Sequence, residues 1–183
     1  LSEVGPYIVW SPFFWTLEFK GKFPKIFDNP KYGSQAKELY DEAQEELQRL
    51  QTQNLKTYGM FQFWRAQSVN EDIELFNDSG NQVSTLCFMR QLKEKKSNSP
   101  YMCLADFVAP KGSQREDYVG LFVSTSGPQI DQLADELKAQ GDDYRCILLK
   151  AISDRLAEAT AEYLHKKARV FWGYGKNEDL TNE

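Results

Sequence analysis

The chain has 183 residues, 41% hydrophobic and 14% aromatic, and carries a formal net charge of −5. This suits one domain with a substantial core and argues against disorder, while the acidic balance argues against a nucleic-acid binder, which needs a basic face. No apolar run approaches the ~18–20 residues that cross a bilayer, and Cys87, Cys103 and Cys146, without CxxC spacing, read as reduced, buried thiols of a cytoplasmic protein.

The leader is dense in aromatics (Tyr7, Trp10, Phe13, Phe14, Trp15), and Pro6 and Pro12 forbid one long helix there. It reads as an arm packed on the domain body. Turn signals at Lys22-Phe23-Pro24 and Asp28-Asn29-Pro30 lead into an amphipathic helix. Ser34 is its expected N-cap, and Ala36, Leu39, Ala43, Leu47 and Leu50 form its apolar stripe. Strands are expected at Met60 to Gln67 and Ile73 to Phe76. A hairpin turn at Asn77-Asp78-Ser79-Gly80-Asn81 precedes a returning strand from Val83 to Met89. Tyr101 to Val108 and Tyr118 to Ser124 read as two more strands, divided by Pro110-Lys111-Gly112. Such short connections predict a largely antiparallel sheet.

Gly127-Pro128 opens a further helix with Ile130, Leu133, Ala134 and Leu137 on one face. Gly141 closes it, and Asp142 or Asp143 caps a long helix running towards Tyr174. The fold class is therefore α+β: a twisted antiparallel sheet flanked by helices, in one domain over residues 1–183.

Candidate chemistry concentrates on the long helix. Ile147, Ala151, Asp154, Glu158, Ala161 and His165 share a narrow angular range. An acidic stretch among small side chains can receive a cation, and a solvated face with pairs such as Glu162 and Lys166 explains the same spacing. Glu162 and His165 have the Glu-x-x-His spacing of a bundle metal site, but no second such pair accompanies them. No phosphate loop or nucleophile elbow is present. Asp106, in Leu-Ala-Asp-Phe-Val-Ala-Pro, is a strand carboxylate among apolar residues that is either buried and paired or caps a turn. The basic runs Lys93, Lys95, Lys96 and Lys166, Lys167, Arg169 read as solvated helix ends or turns, with a docking patch as the alternative.

Several segments together carry a family resemblance. They include Pro6 to Phe14, Gly21 to Ile26, Phe63 to Ser68, Met89-Arg90-Gln91, Cys103 to Pro110, Gly141 to Tyr144, Asp154 to Ala159, Ala161 to His165 and Trp172-Gly173-Tyr174. Nearly end to end, the chain resembles the reactivation (activation) domain of cobalamin-dependent methionine synthase. The resemblance implies a module that binds S-adenosylmethionine and docks over a cobalamin-binding domain. An electron from flavodoxin or a flavoprotein reductase then reduces inactive cob(II)alamin, and the S-adenosylmethionine methyl group traps the reduced cobalt. Unfavourable reduction is pulled forward by favourable methyl transfer, the domain supplying binding and orientation.

The resemblance also implies site residues. An acidic residue within the Leu156 to Ala159 match contacts the ligand, and here it is Glu158. A second contact is an aspartate just before the leader tryptophan, where this chain has Val9. Losing one charged hydrogen bond costs about 1.5–3 kcal/mol, or about ten- to a hundredfold in affinity. An Arg-x-x-x-Gly-Tyr-Pro segment, expected to follow residues 177–183, is absent, so the match corresponds to the N-terminal and central part of the family's domain. Two readings follow. One is a reactivation module of methionine synthase. The other is a truncated paralogue acting as an interaction module for a corrinoid protein, without S-adenosylmethionine. Either way, an apolar surface left uncovered by the missing part predicts a homodimer or domain-swapped oligomer.

Overall fold

The structure is a computed structural model that describes residues 1–95 and 99–177. Lys96 of the first basic run and most of the 177–183 stretch lie outside the described residues. In chain order the elements are α1 (Trp10–Thr16), α2 (Gly33–Thr52), β1 (Tyr58–Val69), β2 (Asp72–Phe76), β3 (Gln82–Leu86), β4 (Tyr118–Thr125), α3 (Pro128–Ala139) and α4 (Asp143–Trp172). The four strands form one sheet in the order β3-β2-β1-β4. The expected α+β class is what the chain adopts. It divides into two compact units: Leu1–Met60 with the chain from Phe122 onward, and Phe61–Leu121.

The first unit is a helical layer with an aromatic centre. Pro6 is the second residue of a single 3-10 turn (Gly5–Tyr7) and Pro12 falls in the first turn of α1, where neither costs an internal hydrogen bond. The leader is thus broken as its prolines dictate, and it packs on the body of its unit as expected. Phe13 and Phe14 are wholly buried with Ile26, Leu50, Ile130, Leu149, Ile152 and Leu156. Edge-on ring contacts link Trp10 to Phe13 and Tyr40, and Phe14 to Phe27. Burying each such ring contributes about 1.5–3 kcal/mol.

Helix α2 begins one residue before the expected cap. Its N-cap is Tyr32 and no side chain caps it; Ser34 lies inside the first turn. The preceding 3-10 turn (Lys25–Asp28) runs almost directly into the helix, and the Gly33 N–H donates to the Asn29 carbonyl. A Cβ on Gly33 would stand 2.2 Å from the Phe27 carbonyl oxygen, so only glycine admits this close entry. Asp142 is the N-cap of α4 as expected, accepting from the Arg145 N–H at 3.1 Å. Helix α3 starts at Pro128 and buries Ile130, Ala134 and Leu137.

In the second unit β1 and β2 pair antiparallel, with Arg65 opposite Phe76 and Val69 opposite Asp72. Strands β2 and β3 also pair antiparallel, with a bulge between Leu75 and Phe76. The turn between them closes as predicted, Asn77 accepting from Gly80 and Asn81, with Gly80 at φ +79°. Strand β3 stops at Leu86 rather than Met89, which is 83% exposed, and Cys87 is exposed rather than buried. Cys103 and Cys146 are buried.

Residues 101–108 are not a strand. Leu104–Phe107 form a 3-10 turn whose capping box pairs Cys103 and Asp106. The Asp106 carboxylate takes the Cys103 N–H at 2.8 Å, a local bond that competes with a sheet ladder. Leu104 and Phe107 face solvent while Ala105 is buried, a periodicity that no strand produces.

Candidate functional site

The face predicted on α4 exists as a helix face, but it is mostly open to water. Ala151 is buried and Ala161 half-buried, while Ile147, Asp154, Glu158 and His165 are exposed. The rest of α4 is held firmly. Cys146, Leu149, Ile152, Leu156 and Ala159 lie in the interior of its unit, and the Ser153 and Ser126 hydroxyls meet at 2.6 Å. Sequence reading did not foresee that hydroxyl pair, because two serines twenty-seven residues apart carry no pattern.

Glu158 is anchored from within its own helix. Arg155 donates through Nη1 to Oε2 at 2.6 Å and through Nη2 to Oε1 at 3.1 Å. Only 9% of the Arg155 side chain is exposed, against 65% for Glu158. The carboxylate therefore sits at the surface with both oxygens gripped by a buried fork. Each oxygen keeps a lone pair for a further donor, so the geometry suits an ammonium group arriving from solvent. Arg155 lies within the Asp154 to Ala159 stretch, and its i,i+3 spacing from Glu158 is the one sequence signal of the pair.

The other sequence candidates fall elsewhere. Asp154 is exposed on α4. His165 is exposed one turn beyond Ala161, and Lys166 lies over the Tyr7 ring, 5.7 Å from its centroid. No ion pair joins Glu162 to Lys166 among the described residues. Nor do any three of His, Cys, Asp and Glu converge to hold a metal ion there. Val9 is the N-cap of α1 and provides no side-chain cap.

Asp106 belongs to a separate cluster in the second unit. Arg90 donates to both its oxygens at 2.7 and 2.9 Å, to Glu71 at 3.2 Å and to the Tyr101 carbonyl at 2.7 Å. The Arg90 hydrogen bonds, then the Cys103 N–H, hold the Asp106 carboxyl down at about 2. This fork ties the chain around residue 90 to the 3-10 turn. Asp106 is thus paired and capping at once, and it stands at the surface rather than in the core.

Helices and a four-stranded sheet define the chain as an α+β protein, with a guanidinium-held carboxylate on its long helix. The chain belongs to the vitamin B12-dependent methionine synthase activation domain family, whose model matches residues 1–183. It is similar to a crystal structure of the MetH reactivation domain bound to AdoHcy, with 42% identity and a TM-score of 0.91. That match covers 98% of this chain and 56% of the other, so the chain spans little more than half the length of the solved relative.

Proposed function

We propose that this chain is the S-adenosylmethionine-binding reactivation module of a cobalamin-dependent methionine synthase, supporting reductive methylation of cob(II)alamin. The observation that carries the reading is Glu158: an exposed carboxylate, pre-oriented by a buried arginine, in a chain 42% identical to a reactivation domain solved with AdoHcy. Glu158 accepts from the α-ammonium of the ligand, which fixes the amino-acid end and thereby the reach of the sulfonium methyl. Cobalamin, held by a partner domain, supplies the redox chemistry and the methyl acceptor. Flavodoxin or a flavoprotein reductase delivers the electron, and the setting is cytoplasmic.

Calorimetric titration with S-adenosylmethionine tests this. Saturable binding that Glu158→Gln weakens about ten- to a hundredfold is the expected result, from the value of one charged hydrogen bond. Binding that ignores the substitution removes Glu158 from the site. No binding at millimolar ligand removes the ligand from the function.

A further inference from the structure

We infer that Arg155 is a positioning residue for ligand capture: it holds the Glu158 carboxylate in the orientation that receives an ammonium group. This rests on the binding role proposed for Glu158. Among the ion pairs of the described residues, Arg155 is the most buried cation. The pair Lys37 and Asp41, also on one helix, is half-exposed on both sides, as solvated pairs usually are. Burying a guanidinium is costly unless a partner compensates it.

Glu158 is that partner. The Arg155 Nε is buried with no hydrogen-bond partner, and no other side-chain bond of Arg155 occurs among the described residues. The fork is therefore committed to one carboxylate instead of being shared among backbone carbonyls. Two parallel bonds set the plane of the carboxylate as well as its distance, which a single bond from an ammonium does not. An exposed glutamate on a helix otherwise samples several rotamers, and ordering it on binding weakens affinity by about two- to tenfold. Arg155 pre-empts that loss.

The charge of Arg155 acts in the opposite sense, since it repels an incoming cation. Arg155→Lys separates the two effects, because it keeps the charge and loses the planar fork. The probes are S-adenosylhomocysteine, which carries the α-amino group, and 5′-methylthioadenosine, which shares the adenosine thioether and lacks the amino-acid end.

Calorimetry on the 183-residue chain is expected to show Arg155→Lys weakening S-adenosylhomocysteine about two- to tenfold while leaving 5′-methylthioadenosine unchanged. In the Glu158→Gln background the same substitution is expected to have no further effect, since the carboxylate it orients is gone. Unchanged 5′-methylthioadenosine binding also shows that the variant is folded. Three results overturn the inference: equal weakening of both probes, an undiminished effect in the Glu158→Gln background, or no effect on S-adenosylhomocysteine at all. A parent chain that binds neither probe refutes the Glu158 reading itself, and this inference with it.

Discussion

Gly127 turns the chain from β4 into α3, and replacing it with alanine tests how tightly that corner is built. Its backbone lies at φ +96°, ψ 149°, a region open essentially to glycine alone. A Cβ there would stand 2.7 Å from the Lys56 carbonyl oxygen and 3.1 Å from the Tyr58 ring. The first of these is backbone and cannot swing aside. The strain costs about 1–3 kcal/mol and the overpacking about 1–3 more, while stiffening the unfolded chain returns about 0.4–1. The net expectation is a loss of about 1–5.6 kcal/mol, centred on ~3.

Gly141→Ala is the internal control. Its φ is +78°, but nothing lies within 4 Å of the added methyl, so only the conformational part applies, about 1 kcal/mol net. Urea unfolding followed by circular dichroism reads both variants, with the slope checked for constancy. If Gly127→Ala falls within about 0.5 kcal/mol of Gly141→Ala, the close approach to Lys56 is not what confines Gly127, and the argument from packing is wrong.

Asp142→Ala is expected to destabilise by about 0.5–2 kcal/mol, whereas Ser34→Ala should stay within about 0.5 kcal/mol because Ser34 caps nothing. Equal losses in urea melts would contradict the cap assignments. Tyr144 donates to Glu42, and that hydrogen bond first, then burial, pushes its phenol up to about 12. The neutral phenol is the favoured form, so this contact stabilises below pH ~10 and is lost as pH rises through about 12. Absorbance titration of tyrosinate should show one late residue that Glu42→Gln returns towards the ordinary range. The Asp106 carboxyl, at about 2, stabilises fully above its ordinary 3.8 and loses that contribution as pH falls through about 2. Carboxyl NMR titration should find it low, and Arg90→Ala should raise it.

The elements legible in the sequence were those whose signals are local. Asp142 before an apolar-periodic run, Gly127-Pro128 and the Asn77 to Asn81 turn each carry their geometry in a few residues. The stretch from Tyr101 to Val108 misled because its apolar alternation suits a strand, while the Asp106 carboxylate captured its own backbone and Arg90 instead. Ser34 misled because a glycine one residue earlier allowed a tighter entry than any cap requires. Glu158 was reachable only through family resemblance, since spacing alone fits a solvated face equally well. The grip of Arg155 on it depends on burial, which no local pattern reports.

The first unit is assembled from two stretches of chain with the second unit inserted between them. That division has a consequence for biosynthesis. Phe13 and Phe14 are synthesised before Leu149 and Leu156, which share their core and follow about 7–28 s later at roughly 5–20 residues per second. Phe61–Leu121 is contiguous and is complete before α4 exists. During that interval the aromatic leader has no finished core to enter, and it is the part of the nascent chain most in need of a chaperone.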